Sequence, residues 1–303
     1  MSFPNQLSRY GAISKTLPGL APSAKVFFVL NTSNSWFADF SNEFPVDSFG
    51  VVRVFSTIKT ALASCVANRG DVVLVMPGHS ESITNTTDLN VNIAGVRVIG
   101  VGNGNNRPVI TVNTATTALI TMSAANTSLE NLIIDGTGFD AIAKVISVTA
   151  AGVSILGNKF ILAGASAQAT LGILTTAAAN DLTIKDNLFY GTSDAGTTAA
   201  IELVGGSNIL IENNNLIGAY SSGVGGITNI TTDCVDLIVK GNTINNLTAS
   251  NTKAMAFTSG STGIIANNRM QILSGTAPIT GAAMSWVGGN YYAATIATAG
   301  TLI

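Results

Sequence analysis

The chain is poor in ionisable side chains. Of its 303 residues, 14 are lysine or arginine, 16 are aspartate or glutamate and one is histidine, which gives a formal net charge of −2. Nucleic-acid binding depends on clustered basic residues that contact phosphates, so this composition argues against nucleic acid as a partner. The two cysteines, Cys65 and Cys234, form no metal or redox motif, and we expect both to be buried free thiols. We therefore predict neither a metal nor a cofactor.

From the sequence we expect neither a secretory signal nor a membrane span. Residues 1–24 contain no apolar run, so no signal peptide is expected. Mean hydropathy is high, at +0.43. However, the uncharged run at 160–180 contains Gln168, several hydroxyl residues and two glycines, and a sequence repeat passes through it. We predict that the hydropathy comes from a continuous apolar core and that the protein has no membrane partner.

The second half of the chain contains a regular repeat of asparagine. The gaps between successive members are 29, 27, 28 and 26 residues. A fixed period of this size is typical of architectures in which repeated units stack on one another. The five members are Asn158, Asn187, Asn214, Asn242 and Asn268.

Each asparagine has the same apolar neighbours. A β-branched residue precedes it by three positions, an apolar residue follows it by two, and a second apolar segment lies upstream. This pattern indicates a short strand, a bend and another strand, with stacked asparagine side chains bonding each other and the turn backbone. We predict an all-β fold, a right-handed single-stranded parallel β-helix with coils of about 27 residues and one N-terminal capping helix. Asn131 is assigned to an early repeat, and the asparagine bend is expected to stop after Asn268.

The remaining sequence divides around these repeats. A helix is predicted over 56–68, where apolar residues share one face, and residues 31–50 are predicted to form an irregular aromatic cap. The N-terminal arm is either a disordered terminus or a segment ordered against a neighbouring subunit. The predicted divisions are an extended arm at 1–24, a cap with the first coils at 25–117, repeats at 118–290 and a C-terminal cap at 291–303.

Two motifs resemble a known family. ThrIleLysThrAlaLeu at 57–62 and GlyAspValValLeuValMetProGly at 70–78 resemble the start of the pectin-lyase-like superfamily, and with the asparagines the likeness extends over 56–290. The segment 65–81, together with the preceding block from Lys25, is also similar to compact β-helix proteins of tailed bacteriophages. This second resemblance implies a virion protein made in the host cytoplasm, such as a capsid decoration (cement) protein, head fibre or tail-associated protein. It implies a homotrimer that contacts the major capsid protein or other virion proteins, with the N-terminal arm as a candidate contact.

Enzymes of this superfamily need converging acids, and the acids here are scattered. Glu202 and Asp233 are the candidate carboxylate pair, since they fall on neighbouring coils. His79, the single histidine, lies two residues before Glu81, so it is either an acid–base candidate or a hydrogen-bonding turn residue. Three further acids recur at turn positions that glycine or asparagine also fills, and we interpret them as structural: Asp181, Asp186 and Asp236.

Two short motifs have weak functional interpretations. ArgGlyAsp at 69–71 joins the predicted helix to a core strand, which argues against a recognition role. GlyAsnGlyAsnAsn at 102–106 resembles a phosphate loop, but no helix pattern follows it. The sequence therefore favours a structural virion protein without catalysis. The alternatives are a polysaccharide-degrading tailspike or lyase-like enzyme and a tail-associated protein that binds a host surface glycan, for which the candidate aromatics are Tyr190, Tyr220, Trp286, Tyr291 and Tyr292.

Overall fold

The computed structural model describes residues 23–46, 50–114, 119–164, 167–192, 196–221, 223–229, 231–248, 253–272, 277–281, 283–293 and 301–302. The predicted arm, apart from its last two residues, lies outside this set. The described chain is a right-handed parallel β-helix of about nine coils. Each full coil contributes one strand to each of three sheets, so the predicted fold class is confirmed.

Sheet I and sheet II meet at the asparagine turn. Sheet I contains, in spatial order, β2 (Val54–Phe55), β1 (Val26–Val29), β3 (Val72–Val75), β6 (Arg97–Gly100), β9 (Ser128–Glu130), β12 (Ser154–Leu156), β15 (Thr183–Lys185), β18 (Ser207–Glu212), β21 (Val235–Lys240), β24 (Gly263–Ala266) and β27 (Met284–Val287). Sheet II contains β4 (Ser80–Ile83), β7 (Val109–Val112), β10 (Ile133–Asp135), β13 (Lys159–Ile161), β16 (Leu188–Tyr190), β19 (Asn215–Gly218), β22 (Thr243–Asn246), β25 (Arg269–Gln271), β28 (Tyr291–Ala293) and β29 (Thr301–Leu302).

Sheet III closes the coil on the third side. It contains β5 (Leu89–Val91), β8 (Ile120–Met122), β11 (Ile146–Val148), β14 (Leu171–Thr175), β17 (Ala199–Glu202), β20 (Ile227–Asn229), β23 (Met255–Phe257) and β26 (Ile279–Thr280). Pairing between coils is parallel throughout the three sheets, except that β29 runs antiparallel to β28. The second apolar segment of each repeat is therefore a strand of this sheet, as the sequence indicated.

The core is a set of aligned inward columns. The residue three positions before each repeated asparagine points inward and is fully buried in every case. In sheet II, the rings of Phe160 and Phe189 stack with centroids 4.4 Å apart and planes within 8°. Strict in-register pairing places like residues above one another, so each coil buries its neighbour's apolar surface. The column of sheet I that lies three positions before the asparagines contains Ile155, Ile184, Ile211, Val239 and Ile265.

Two short helices lie at the N-terminal end instead of the single helix predicted at 56–68. Helix α1 is Phe37–Glu43, within the segment predicted to be irregular, and α2 is Ile58–Leu62. Thr57 caps α2 by accepting a bond from the Thr60 N–H. The longer helix was wrong: after Leu62 the Ser64 and Cys65 N–H groups bond only three residues back, and the Val66 N–H donates to the buried Asp71 carboxylate at 2.8 Å.

Helix α1 packs on the outer face of sheet I rather than on the coil interior. Its buried Phe40 contacts Phe28 of β1 edge-to-face, with ring centroids 5.6 Å apart, and Phe44 lies 5.2 Å from the same ring. A second small core, separate from the interior columns, results. Phe40 and Phe44 thus attach a cap to the side of the first strands.

The C-terminal end differs in chemistry. From residue 270 onward the sequence contains no charged residue. Trp286 aligns with the inward Ile265, yet 44% of it is exposed, and among the described residues no strand pairs with the outer edge of β27. Apolar residues, rather than ion pairs, therefore finish the stack.

Candidate functional site

The asparagine column is the most regular polar feature of the molecule. In the turns that contain the five repeated asparagines, between sheets I and II, the asparagine side chain points inward and is at most 2% exposed. Asn187, for example, donates to the Asn214 Oδ1 atom at 3.0 Å and to the Ile155 carbonyl at 2.9 Å. Its own Oδ1 atom accepts from the main-chain N–H and the side-chain amide of Asn158. Every amide group of the ladder is thereby paired, in the arrangement that the repeat predicts.

The limits of the ladder differ from the prediction at both ends. Asn131 is one residue out of register: Leu132 occupies the ladder position, and its N–H donates to Asn158 Oδ1 at 2.9 Å. Asn131 instead has φ of 55° and donates to the carbonyls of Gly100 and Gly102. At the other end the ladder continues beyond Asn268, because Asn290 accepts from its N–H and its amide, each at 3.0 Å.

A row of opposite charges lies outside the same coils. Lys185, Glu212 and Lys240 are in register on β15, β18 and β21, and each faces solvent. Glu212 accepts from Lys185 at 2.8 Å and from Lys240 at 3.1 Å. The bond from Lys185 is the main cause that lowers the pKa of the Glu212 carboxyl below its ordinary range. The charges therefore bond one another across coils.

A buried ion pair lies at the ArgGlyAsp segment. Arg69 donates two bonds to Asp71, at 2.7 and 2.6 Å, and the Lys25 and Val66 N–H groups donate to the same carboxylate. Burial alone would raise the pKa of Asp71, but these bonds outweigh it and hold the pKa below its ordinary value. Asp71 is fully buried, so this segment ties β1, α2 and β3 together.

The structure brings His79 and Glu81 together at the start of sheet II. His79 Nε2 lies 3.2 Å from Glu81 Oε2, and the same oxygen accepts the Ile58 N–H of α2 at 3.0 Å. His79 is only 1% exposed, and within the described chain its Nδ1 atom has no hydrogen-bond partner. Through the bond that Glu81 accepts from Ile58, the pair anchors α2 on the coil.

Glu202 and Asp233 occupy different walls of neighbouring coils. Glu202 lies on β17 and pairs with Thr228 of β20, whereas Asp233 is exposed in the following turn between sheets III and I. No hydrogen bond or ion pair joins the two carboxylates in the described part of the molecule. Burial raises the pKa of the Glu202 carboxyl, which is a property that a proton donor needs. Their catalytic role stays a prediction.

The three turn acids occupy positions that require a left-handed backbone conformation. Asp181, Asp186 and Asp236 have φ values of 53°, 57° and 53°, in the left-handed region that asparagine and aspartate tolerate. Glycine and asparagine fill the same positions in other coils with similar φ, so the structural interpretation is confirmed.

Both cysteines are free and buried, as predicted. Burial is the main cause that raises the pKa of Cys65 to about 12, with a smaller contribution from the charge of Asp71. Cys234 also has a raised pKa, and it accepts a bond from the Asn229 side chain at 2.8 Å. These are thiols held in the protonated, unreactive form.

Within the described residues, no group of three or more histidine, cysteine or acidic side chains is placed to hold a metal ion. None of the helices in that part of the chain is long and apolar enough to cross a membrane.

The candidate glycan-binding aromatic residues differ in their exposure to solvent. Tyr220 is buried and Tyr292 half-buried, whereas Tyr190, Trp286 and Tyr291 are exposed on different parts of the stack.

Comparison with known proteins supports the fold. No protein-family model matches the chain, and no curated protein matches it significantly. Among solved structures it is similar to a rhamnogalacturonan lyase, with a TM-score of 0.57 and 13% identity over 82% of this chain and 68% of the lyase. A pectin methylesterase in complex with a hexasaccharide aligns with a TM-score of 0.44 and 13% identity, over 91% of this chain and 90% of the esterase. At such identity the likeness to the lyase is one of parallel β-helix fold alone.

Proposed function

We propose that the chain is a structural bacteriophage virion protein, a capsid decoration (cement) protein or head fibre that binds the particle surface without catalysis. The observation that carries the proposal is how the ionisable groups are used. The carboxylates of Asp71, Glu81, Glu130 and Glu212 each accept bonds that tie one strand, helix or coil to another. Such bonds stabilise a rod, whereas catalysis needs acids that converge on an open position.

The particle-binding part of the proposal rests on the resemblance of residues 65–81 to phage β-helix proteins. The partner is then the major capsid protein or another virion protein, and residues 1–24 supply the contact. Uncharged alanine, threonine and glycine faces suit side-by-side packing of three copies as a homotrimer. Low charge would keep such faces free of repulsion between copies.

The test is to compare purified particles made with the full chain and with a variant that lacks residues 1–24. Mass spectrometry should detect the full chain at fixed stoichiometry, and the truncated chain should be absent from particles. Circular dichroism should show that the truncated protein retains its β structure. A full chain missing from particles would overturn the virion role. A truncated chain at full stoichiometry would overturn only the arm.

A second candidate, a polysaccharide-degrading enzyme, is favoured by the raised pKa of Glu202. Under that alternative, purified protein would shorten an acidic polysaccharide, and Glu202→Gln would abolish the activity. The matched change Asp233→Asn tests the proposed partner carboxylate. Under the structural proposal, the unmodified protein releases no oligosaccharide from any substrate in such a screen.

A further inference from the structure

An open cleft of about 490 Å³ lies at the N-terminal end of the molecule. One wall is the segment just before α1, and the other is formed by the turns that leave β3 and β6. The second of these turns is the GlyAsnGlyAsnAsn motif at 102–106, whose last three residues form a 3-10 helix. The cleft is thus built by chain segments that are distant in sequence and by a motif that the proposed virion role leaves unused.

Both walls are fixed to the β-helix. On the motif side, the Gly102 carbonyl accepts from Asn131 at 2.9 Å, and the Arg107 side chain donates to the carbonyls of Gly104 and Gly157. On the other side, Asn31 exchanges bonds of 2.7 and 2.8 Å with the main chain of Ser80. Fixed walls mean that a ligand would meet a formed site, which reduces the entropy lost on binding.

The described residues that line the cleft are all uncharged. Trp36 lines one wall of the cleft and is 38% exposed. Asn34, Asn103 and Asn106 add side-chain amides, each of which can donate and accept. Within the described chain, no hydrogen bond engages the amides of Asn103 and Asn106, and no charged residue lines the cleft.

We propose that this cleft binds a neutral oligosaccharide. The apolar face of a hexopyranose ring can pack on the indole of Trp36, as amphipathic rings do, while adjacent hydroxyls pair with the oxygen and the NH2 of one amide. Uronic acids would require a cation to receive their carboxylates. The site does not depend on the virion role, and it lies on the cap rather than on a sheet face.

The experiment uses the two tryptophans of the chain. In the full-length Trp286→Phe variant, Trp36 is the single fluorescent indole, and emission is titrated with short neutral oligosaccharides of glucose, galactose and mannose. A saturable change is expected with at least one series, and oligogalacturonates should bind at least about tenfold more weakly, since a factor of ten is one 1.4 kcal/mol step. Trp36→Phe, which keeps Trp286, should give no change.

Two amide variants locate the site. In the Trp286→Phe background, Asn103→Ala and Asn106→Ala together should weaken binding by about tenfold, the loss expected for one or two hydrogen bonds. Asn215→Ala, an exposed asparagine on the outer face of sheet II, is the matched control and should bind as before. The proposal is overturned if no neutral series changes Trp36 emission, if the double variant binds normally, or if oligogalacturonates bind more tightly.

Discussion

Two polar columns run along the same coils, one inside and one outside. The inner column consists of neutral asparagine amides that are almost fully buried, and the outer one is the charged row of Lys185, Glu212 and Lys240. Both connect each coil to the next with hydrogen bonds near 3 Å. They differ in what replaces a lost bond: water reaches the outer column and does not reach the inner one.

That difference predicts opposite sensitivities. A surface ion pair contributes about 0–1 kcal/mol, because water and salt compete for both charges. A buried amide that loses its partner costs about 1–3 kcal/mol for each unsatisfied group. The neutral column should therefore contribute more to the free energy of unfolding than the charged column does.

Asn214→Ala should give the largest effect. This side chain accepts two bonds from Asn187 and donates to Ile184 and Asn242, so its removal leaves several buried groups without partners. We expect the free energy of unfolding to fall by about 3 kcal/mol or more in urea denaturation. The adjacent, exposed Asn215→Ala is the matched control and should change it by less than about 0.5 kcal/mol. Equal losses in the two variants would contradict the comparison.

Asp71→Asn tests a charge that is buried like the ladder. Removing one partner of a buried pair should cost about 3 kcal/mol at neutral pH. Because the folded-state pKa is below the ordinary value of 3.8, the carboxylate contributes stability above that pH and loses it as the pH falls through the folded pKa. The difference between variant and parent should therefore shrink in acid.

The control for that measurement is Asp236→Asn. Asp236 is exposed with φ of 53°, and Asn208 adopts 56° at the corresponding turn. Its substitution should leave the unfolding free energy within about 0.5 kcal/mol at every pH. A pH-independent loss for Asp71→Asn would show that shape, rather than charge, holds that site.

Glu212→Gln should give the smallest effect. The change removes the negative charge shared by Lys185 and Lys240 and keeps the size of the side chain. We expect a loss below about 1 kcal/mol that decreases further as sodium chloride is raised. A loss as large as that of Asn214→Ala, unaffected by salt, would remove the distinction between the two columns.

The sequence predicts the repeating part of this fold because period, inward residues and bend all agree there. It misplaces the first ladder position, since at that coil Leu132 fills the slot and a neighbouring asparagine at 131 mimics the period. It misses Asn290 because the last interval contracts to 22 residues. In both cases the ladder position departs from the regular interval, so an expectation based on constant spacing places it at the wrong residue.

The end regions and the cleft were less predictable for a different reason. Helix α2 ends at Leu62, and the Val66 N–H beyond it donates to Asp71, a contact that no local sequence pattern reports. Trp36, Gly78 and Asn103 meet only after the first coils have formed. By contrast, the sequence predicts the pairing of His79 with Glu81, because the two residues lie two positions apart at the start of one strand.

The asparagine column gives the molecule an adjustable length. Each side chain offers the next coil the same donor that the previous coil offers to it, with one orientation from Asn158 to Asn290. A whole coil could therefore be duplicated or excised at this turn and the remaining bonds would still match. Each such step changes the height of the stack by about 4.8 Å, the spacing of paired strands. Descendants of one gene could thus differ in reach by whole coils while keeping both end caps unchanged.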